Sequence, residues 1–521
     1  MKKLNLVFVP GASPTCIPLG IASLFAYVKK TLGDVDVSMS DLSILLWNQL
    51  RGQSTGTNGN EPLPFADRDG FYIPDTYAAH WQRAAPIHGR WHQITRSISA
   101  ALQRDENRVP DFYAAVMHHA LKLDTTDVLA LSAAYPEQLI HAAVIARLVK
   151  AQRPDVTVLL GGSALPSIHP DSLLNAVPQI DLLYLGEGEQ GICEFLQDGP
   201  VHGRGWIGRF HGERESVKRP RAIPMQSLPV PGFSSFDLSR YWMPDPVLPV
   251  AFSRGCRWRK CAFCSHNFGF AGYRIDDCGR FVDHLAQLQS IHRTDYFYFT
   301  DQYIDAASLA GIANEILKQK LQLRFHVMGR PTSEYTRDIL NLLFAAGCRW
   351  ISWGVESGAQ SLLDTCRKGT RVQDVAAVLE NSHHAGINNL AMMVFGLPGT
   401  SPERFQQTLD FATSVSEWVA AFTDSSFQLF EQTPYFQNAA SIGIVPGDNE
   451  VLFSIGDRQV ISRRRAYAQQ TGGGQMAPPS GAEEVALWKR WKTWVRGESF
   501  FETLPAEHYL LYADRMSGAP L

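Results

Sequence analysis

The chain has 521 residues, enough for about three domains of roughly 150 residues each. Hydrophobic residues make up 45% and charged residues 19% of the chain, which is typical of a globular protein. A net charge of −3 argues against nucleic acid as the principal partner, because a nucleic-acid backbone favours a basic surface.

The cysteines and the first residues bear on the compartment. Three of the eight cysteines lie close together in sequence and the others are widely spaced. This distribution argues against a disulfide framework and favours a reducing, cytoplasmic location. Two lysines precede an apolar run at residues 4–9, but Pro10 and Gly11 end that run too early for an export signal. No stretch is long and apolar enough to span a membrane, so we expect no membrane partner.

Residues 1–200 alternate short apolar runs with helical patterns. The runs predict five strands, at residues 4–9, 35–40, 128–132, 156–160 and 182–185. Helical patterns at 17–30 and 136–151 lie between them. This alternation predicts an α/β fold with a doubly wound parallel sheet, which binds ligands beyond the carboxyl ends of its strands.

Glycines and other small or polar residues follow these strands, at the edge where such a sheet binds its ligand. Glycine there lets a ligand approach the backbone closely, although glycine is also common in ordinary tight turns. The residues at this edge are Pro10, Gly11, Ala12, Ser13, Ser132, Gly161, Gly162, Ser163, Gly186, Glu187, Gly188 and Glu189.

An insertion at residues 44–122 separates the second and third strands. Its polar, glycine-rich part at 52–60 predicts a mobile loop, and the pattern at 111–121 predicts a helix. The insertion also contains several histidines. We expect His88 and His92 to be surface or packing residues.

The middle of the chain repeats a strand-then-helix unit. Residues 201–244 are a predicted linker, and the repeat occupies 245–440. The predicted strands are 248–252, 296–301, 323–328, 350–357, 390–395 and 422–430, with helical patterns such as 307–318 and 337–346 between them. The repeat predicts a partial (β/α)6 barrel with its chemistry at the carboxyl ends of the strands.

Cys256, Cys261 and Cys264 form the one close group of cysteines in the sequence. Three thiolates can hold three irons of a [4Fe–4S] cluster and leave the fourth iron open to a ligand. A structural zinc site with His266 as fourth ligand is the alternative, because zinc readily binds three cysteines and one histidine. The cysteines and their spacing leave both interpretations open.

The cysteine loop resembles that of the radical S-adenosylmethionine (radical SAM) superfamily. A Ser-Arg-Gly-Cys sequence follows the predicted strand 248–252, and the aromatic Phe263 precedes the last cysteine. That family usually separates its cysteines by three and then two residues. Here the first gap is four residues, 257–260, a departure that concerns the geometry of the loop.

The resemblance extends to the ends of the other predicted barrel strands. It implies that SAM is contacted there by an acid, an arginine, a Gly-Val-Glu-Ser sequence, an aromatic beside the adenine and a Gly-Leu-Pro-Gly turn. In this sequence those residues are Asp301, Arg330, Glu356, Ser357, Phe263, Gly396, Leu397 and Pro398. Arginine suits a carboxylate because its planar fork donates two parallel hydrogen bonds. A salt-bridged or capping role is the alternative for each residue.

The first domain resembles the cobalamin-binding domain that precedes many radical SAM barrels. The resemblance rests on the Pro-Leu-Gly run at 18–20 and on the glycine turns at 161–162 and 186–189. It implies that the residues named above at the edge of the sheet contact cobalamin. The Asp-x-His-x-x-Gly sequence of other cobalamin proteins does not occur here, so the cobalt would lack a histidine ligand from this domain.

These resemblances imply a cobalamin-dependent radical SAM methyltransferase that uses a [4Fe–4S] cluster, SAM and cobalamin. In such an enzyme a 5′-deoxyadenosyl radical abstracts a substrate hydrogen, and methylcobalamin donates a methyl group to an unactivated carbon. An external one-electron reductant, such as flavodoxin or ferredoxin, would be needed. A natural-product or peptide substrate suits the near-neutral charge and abundant aromatics. The alternatives are rearrangement, ring contraction or cyclisation without methyl transfer, and a non-enzymatic cobalamin- or zinc-binding protein.

Residues 441–521 are predicted to form a mostly helical region that caps the barrel. A loop is predicted at 463–484, which contains three consecutive glycines and two prolines. An amphipathic helix is predicted at 483–495, with Trp488 and Trp491 on one face. That face would pack against the barrel or line the substrate pocket.

Overall fold

The computed structural model describes residues 2–55, 63–200, 204–208, 222–266, 269, 272–470, 476–477, 481–496 and 504–516. The chain divides into two compact units. The first unit consists of the chain up to Pro246 together with Glu450–Ser462, and the second contains most of the chain from Val247 onward.

The first unit is built on one sheet. Its strands are β1 (Leu4–Phe8), β2 (Val37–Asp41), β3 (Val128–Ser132), β4 (Thr157–Gly161), β5 (Leu182–Tyr184) and β6 (Trp206–Gly208). Their order is β2-β1-β3-β4-β5-β6, with the first five strands parallel and β6 antiparallel to β5. The predicted parallel sheet is therefore confirmed, and the strand order reverses between β1 and β3, where doubly wound sheets bind ligands.

Helices cover both faces of this sheet. They are α1 (Leu19–Leu32), α2 (Leu42–Thr55), α3 (Arg68–Phe71), α4 (Pro74–Gln103), α5 (Asp111–Leu121), α6 (Gln138–Gln152), α7 (Pro170–Ala176) and α8 (Gly188–Asp198). α1 packs on α8, whereas α2, α4, α5 and α6 form a second group. Because α1 and α6 connect strands in opposite directions across the sheet, right-handed crossovers place them on opposite faces.

The insertion is more helical than its sequence predicts. Residues 52–55, predicted as part of a loop, are the last turn of α2, and residues 56–60 lie outside the described residues. The predicted helix at 111–121 is confirmed as α5. The insertion thus adds helices to one face of the sheet.

The second unit is built on another parallel sheet. Its strands are β7 (Val247–Val250), β10 (Tyr296–Phe299), β11 (Arg324–Gly329), β12 (Cys348–Glu356), β13 (Asn388–Phe395) and β14 (Ala421–Phe422); a short ladder is formed by β8 (Ser253–Arg254) and β9 (Arg274–Ile275), and β15 (Ser425–Ser426) also pairs with β13. The order β14-β13-β12-β11-β10-β7 is that of an open, sequential sheet. This is the predicted partial barrel.

The helices of this unit follow the strands in turn. They are α9 (Cys278–His292), α10 (Ala306–Lys318), α11 (Arg337–Ala345), α12 (Gln360–Thr365), α13 (Val372–His384), α14 (Pro402–Ser414) and the short α15 (Pro434–Gln437). Five of these helices begin at a side chain that accepts a hydrogen bond from their first turn, namely Asp277, Asp305, Thr336, Ser401 and Thr433. Such caps satisfy otherwise orphaned backbone donors and fix where each loop ends.

The predicted sixth strand at 422–430 is wrong as a continuous element. The chain instead forms β14, β15 and β16 (Leu429–Phe430), each two residues long. Polar residues at 423–426 interrupt the apolar run, and aspartate and serine do not favour strands.

The carboxyl-terminal region contains a long hairpin in addition to the predicted helices. β17 (Ile444–Ile455) and β18 (Arg458–Gln470) form a sheet with β16, and β19 (Met476–Ala477) pairs with β18. The loop predicted at 463–484 is therefore wrong for residues 463–470. Residues 471–475 and 478–480 lie outside the described residues.

The tip of this hairpin belongs to the first unit. Ile168 forms an antiparallel bridge with Ser462, and the N–H of His169 donates to the carbonyl of Ile461 at 2.9 Å. The N–H of Gly456 donates to the carbonyl of Leu102 at 3.2 Å. The first unit is thus completed by residues that lie far along the chain.

Two helices end the described chain, α16 (Gly481–Arg496) and α17 (Ala506–Met516). The helix predicted at 483–495 is confirmed as α16. Its predicted packing against the barrel is also confirmed, because the ring of Trp488 lies 5.0 Å from that of Phe395 on β13 and 4.6 Å from that of Trp491. α17 packs on β7, β10, β11 and β12. Among the helices of the described residues, none combines the length and apolar character that a membrane crossing requires.

Candidate active site

The cysteine loop is closed at its base by the ladder of β8 and β9. Ser253 faces Ile275 and Arg254 faces Arg274 in this antiparallel pair. Gly255 follows with a φ of +83°, and a Cβ at this position would lie 2.7 Å from the carbonyl oxygen of Gly272. Only glycine fits both the conformation and the space, which explains the residue before the first cysteine.

The three cysteines are free and half-buried. Ala262 fixes the loop between them, because its N–H donates to the carbonyl of Cys366 at 2.8 Å and its carbonyl accepts from the N–H of Tyr435 at 3.0 Å. Burial raises the pKa of Cys261 to about 11. A thiolate there needs a cationic partner, which is what a cluster iron provides.

The donor set suits a cluster better than a single ion. Three thiols can each bind a different iron of a [4Fe–4S] cluster. Within the part of the chain that the structure describes, no group of three histidine, cysteine, aspartate or glutamate side chains is gathered closely enough to hold one metal ion. His266, the fourth ligand of the zinc alternative, is exposed.

The four-residue gap between the first two cysteines contains one residue with a left-handed backbone conformation and one aromatic ring that packs against a neighbouring segment. Arg259 has a φ of +49°. The indole N–H of Trp258 donates to the carbonyl of Arg367 at 2.9 Å. The additional residue therefore leads to a defined contact with the segment that follows α12.

Asp301 binds the start of the cysteine loop. Its carboxylate accepts hydrogen bonds from the N–H of Phe252 at 3.1 Å and from the N–H and hydroxyl of Ser253. Burial raises its pKa to about 6 although these hydrogen bonds oppose the shift. The structure thus gives Asp301 the capping role that the sequence left as an alternative, and its contact with SAM stays a prediction.

Glu356 ends β12 in a left-handed conformation with a φ of +66°. Its Oε1 atom lies 2.6 Å from Nζ of Lys368, and both side chains are buried. Burial alone would lower the pKa of Lys368, but the carboxylate of Glu356 raises it above the usual value. Gly354 leaves space for this pair, since a Cβ there would lie 2.4 Å from the lysine Nζ.

Arg330 follows β11 and lies beside the cysteine loop. Its Nη1 donates to the carbonyls of Lys368 at 3.1 Å and Gly369 at 3.0 Å, and its guanidinium lies 4.1 Å from the ring centroid of Trp258. Nε of Arg330 is buried and has no hydrogen-bond partner among the described residues, and the same holds for the hydroxyls of Thr370 and Tyr435. Leaving such groups unpaired costs about 1–3 kcal/mol each, so a polar ligand would relieve them.

Phe263 packs against an apolar cluster that contains Leu397 of the Gly-Leu-Pro-Gly turn together with Ala262 and Tyr435. Gly396 has a φ of +75° and donates its N–H to Oε2 of Glu484 at 2.8 Å. Glu484 lies on α16, 88 residues from this turn, and sequence reasoning missed it. Pro398 is buried in the same turn.

Ser357 is engaged by the turn after β12 and by α14. Its hydroxyl pairs with the hydroxyl of Thr408 at 2.9 Å and accepts from the N–H of Ala359 at 3.1 Å. These contacts stabilise the turn after β12. They do not bring the hydroxyl to the unpaired donors, so a role in SAM binding stays a prediction.

In the first unit, three of the five glycines at the edge of the sheet have conformations that favour glycine. Gly11, Gly162 and Gly186 have φ values of +126°, +110° and +137°. A Cβ at Gly162 would lie 2.2 Å from the carbonyl oxygen of Ala133. Ser13, Ser163 and Gly186 are exposed, so this edge presents backbone and hydroxyl groups to the surroundings.

The remaining edge residues are positioned by the sheet. Ser132 ends β3 and accepts the N–H of Val9 at 3.1 Å, which ties the end of β1 to β3. Gly188 and Glu189 begin α8, and Glu187 is its N-cap residue. Glu189 is buried in the first turn of α8, where an acidic side chain is favoured by the helix dipole.

The turn after β1 is held by residues of α2. The carbonyl of Ala12 accepts from the hydroxyl of Ser43 at 3.1 Å and from the indole N–H of Trp47 at 2.8 Å. Asp41 in turn accepts from the N–H of Ser43 at 2.8 Å and from the hydroxyl of Tyr241 at 2.8 Å. Burial raises the pKa of Asp41 to about 7.

The insertion's histidines have the packing and surface positions that the sequence predicts. The ring of His88 lies 4.7 Å from that of Trp47, and burial lowers its pKa to about 4. His92 is exposed. Outside the insertion, His141 is buried, and its ring nitrogens pair with Tyr113 at 3.0 Å and Thr95 at 3.2 Å.

Comparison with known proteins defines the class of this protein. The Radical SAM superfamily model matches residues 250–412, which contain the cysteine loop and strands β10 to β13. Residues 250–412 therefore form a radical SAM domain. It resembles an uncharacterized methyltransferase of Pyrococcus horikoshii (23% identity over 57% of this chain and 66% of that protein). It also resembles the anaerobic magnesium-protoporphyrin IX monomethyl ester cyclase of Rubrivivax gelatinosus (26% identity over 55% of each chain).

Two solved structures resemble the fold of this chain. The fold matches the cobalamin-dependent S-adenosylmethionine radical enzyme OxsB with aqua-cobalamin and SAM bound, at a TM-score of 0.64 and 14% identity over 94% of this chain and 66% of that one. It also matches the radical SAM methyltransferase TsrM of Kitasatospora setae with cobalamin and a [4Fe–4S] cluster bound, at a TM-score of 0.60 and 16% identity over 89% and 88%. The chain thus shares the fold of these two enzymes. It spans from about half to two thirds of the two curated relatives.

Proposed function

We propose that this protein is a cobalamin-dependent radical SAM methyltransferase that adds a methyl group to an unactivated carbon of a natural-product or peptide substrate. The observation that carries the proposal is a loop with three free thiols that contacts Arg330 and Tyr435, both of which carry buried, unpaired donors. Arg330 directly follows β11, at the carboxyl end of a parallel strand, where such barrels perform their chemistry.

In this proposal Cys256, Cys261 and Cys264 hold the cluster. A [4Fe–4S] cluster supplies the electron that cleaves the sulfonium bond of SAM and an open iron for its amino-acid end. Arg330 presents Nε to the SAM carboxylate, and Phe263 lies beside the adenine. Glu356 is occupied by Lys368, so its contribution is to fix the end of β12 at this position.

The cobalamin site is proposed at the glycine-rich edge of the first unit. Its residues surround the point between β1 and β3 where strand order reverses, the usual ligand position in such sheets. Gly11, Gly162 and Gly186 leave the backbone open to close approach by a large planar ligand. No histidine from the edge residues is available as a cobalt ligand, in agreement with the missing Asp-x-His-x-x-Gly sequence.

Two further proposals concern the surroundings of the enzyme. All eight cysteines are free, which suits a reducing cytoplasm. An external one-electron donor such as flavodoxin or ferredoxin would reduce the cluster. The net charge of −3 offers no support for a nucleic-acid partner.

Radical chemistry without methyl transfer is the second candidate. It is favoured by the similarity to anaerobic magnesium-protoporphyrin IX monomethyl ester cyclases and to 4′-phospho-dehydrooxetanocin synthase of Priestia megaterium (22% identity over 49% of this chain). The mass of the product separates the two candidates, since only methyl transfer adds a methyl group.

The test uses anaerobically purified protein from cells supplied with cobalamin. We expect about four irons per chain, near-stoichiometric cobalt, and reductive cleavage of SAM. Cys264→Ala should abolish SAM cleavage. Cys278→Ala is the matched control, because Cys278 is a free cysteine at the start of α9, outside the cysteine loop, and its loss should leave cleavage intact.

The results also separate the alternatives. SAM cleavage that survives Cys264→Ala would overturn the radical SAM assignment of the cysteine loop. Iron without cobalt, together with SAM cleavage, would overturn the cobalamin part and favour chemistry without methyl transfer.

A further inference from the structure

The additional residue of the cysteine loop brings one aromatic side chain, Trp258, against the segment 367–369. The indole N–H donates to the carbonyl of Arg367 at 2.9 Å. The ring also lies against Gly369, where a Cβ would come within 2.2 Å of it. Gly369 has a φ of +70°, so both its conformation and its close contact favour glycine. The backbone of this segment therefore both binds the indole N–H and packs closely against the indole ring.

The same segment holds Arg330. Its Nη1 donates to the carbonyls of Lys368 and Gly369, at 3.1 Å and 3.0 Å. Its guanidinium carbon lies 4.1 Å from the centroid of the Trp258 ring, well within the range of a cation–π contact. Arg330 and Trp258 thus bind neighbouring carbonyls of one backbone segment and contact each other.

These contacts fix the plane of the guanidinium and leave Nε without a partner in the described part of the chain. Nη1, by contrast, is occupied by two carbonyls. A carboxylate binds arginine through parallel hydrogen bonds from one edge of the planar group, so the orientation of that plane determines affinity. Lysine, with a point charge on a flexible stem, would not be oriented in this way.

We propose that Trp258 is a positioning residue that orients Arg330 so that Nε meets the carboxylate of an amino-acid-bearing cofactor. This inference rests on the proposed function, in which that cofactor is SAM. The four-residue gap between Cys256 and Cys261 then has a purpose, because it places an aromatic ring against the binding arginine. Trp258 itself need not touch the cofactor.

The experiment compares Trp258→Phe with Trp258→Leu in cluster-loaded protein. Both substitutions remove the indole N–H, but only phenylalanine keeps an aromatic face for Arg330. The measurements are iron content and the affinity for SAM by anaerobic equilibrium dialysis, with the SAM-dependent change in the electron paramagnetic resonance signal of the reduced cluster as a second readout. Lys260→Ala is the control, because Lys260 also lies over the Trp258 ring, at 4.7 Å, without binding the 367–369 segment in any described contact.

We expect equal iron in both Trp258 variants and an affinity for SAM about fivefold weaker in Trp258→Leu than in Trp258→Phe, the fold-change of a typical cation–π contact. Lys260→Ala should bind SAM as the parent protein does. Arg330→Lys should weaken binding more than Trp258→Leu does, and the double variant should lose less than the product of the two separate effects, because the two changes disrupt one arrangement.

Equal SAM affinity in the two Trp258 variants would overturn the inference. Loss of iron from Trp258→Leu alone would also overturn it, since the ring would then serve to hold the loop and not the arginine. A parent protein that carries its cluster but binds no SAM would instead reject the proposed function, so the two failures are distinguishable.

Discussion

Removal of Lys368 should destabilise the second unit far more than removal of a lysine from an exposed ion pair. Nζ of Lys368 lies 2.6 Å from Oε1 of Glu356, and the side chains are only 9% and 10% exposed. At an effective dielectric constant of about 20, unit charges at this distance attract by about 6 kcal/mol. Desolvation offsets part of that attraction. Lys368→Met leaves a buried carboxylate without its partner, which costs about 3–5 kcal/mol.

The assay is thermal unfolding of anaerobically prepared protein. A loss of 1 kcal/mol lowers the melting temperature of a domain of this size by about 2–4 °C, so we expect a decrease of roughly 6–20 °C for Lys368→Met. Lys318→Met is the matched control, because Lys318 pairs with Glu315 at 3.0 Å but is 73% exposed. Exposed pairs contribute less than about 1 kcal/mol, so the control should melt within a few degrees of the parent.

A second variant tests the physical reason. Combining Glu356→Gln with Lys368→Met replaces the unpaired carboxylate by a neutral amide and should recover most of the lost stability. If Lys368→Met melted together with Lys318→Met, the pair would not be buried as described. If the double variant were no more stable than Lys368→Met, the loss would come from packing and not from charge.

Three further predictions use other contacts. Because burial raises the pKa of Asp41 from 3.8 to about 7, its contribution to stability is fully present below pH 4 and is lost by roughly 4 kcal/mol as the pH rises through 7. Asp41→Asn should flatten that part of a pH series of denaturation curves, and an unchanged slope would contradict the assignment. Glu484→Ala should lower the free energy of unfolding by about 1–3 kcal/mol through the lost hydrogen bond from Gly396, whereas Glu484→Gln keeps an acceptor and should cost less; equal losses would argue against this bond. Gly162→Ala should reduce bound cobalt while iron is retained, and Gly89→Ala, which has open space around its Cβ, should change neither; full cobalt in Gly162→Ala would reject this edge as the cobalamin site.

Both parallel sheets could be predicted because strands covered on both faces form continuous apolar runs. Strand β18 could not, because it lies in a hairpin with polar side chains and the carboxylate that its arginines bind is distant in sequence. Arg465 of β18 pairs with Glu431 at 2.9 Å, and Arg463 lies 3.6 Å from the same carboxylate. In the sequence, the run of arginines at 463–465 therefore has the pattern of a solvated loop. Only the structure shows that Glu431 lies close enough to pair with two of them.

The candidate site was predictable only where its features are local. The cysteine spacing and the glycines that require positive φ are visible in short stretches of sequence. The pairing of Glu356 with Lys368 spans 12 residues, and that of Gly396 with Glu484 spans 88. No local pattern tells which distant side chain meets a strand end. Hence the sequence indicates that Asp301 and Glu356 lie at the ends of strands and leaves a capping or salt-bridged role open, but it does not identify their partners.

The discontinuous first unit has a practical consequence for dissecting this protein. Tyr241 and Trp242 lie beyond the predicted boundary at residue 200, yet Tyr241 binds Asp41, and the N–H of Trp242 donates to the carbonyl of Pro14 at 3.1 Å. The hairpin tip, Glu450–Ser462, supplies further contacts from near the other end of the chain. A fragment cut at residue 200 would lose both, and one cut at 246 would still lack the tip. Isolating a faithful fragment of the first unit would therefore require adding the tip back, for example as a circularly permuted or co-expressed segment.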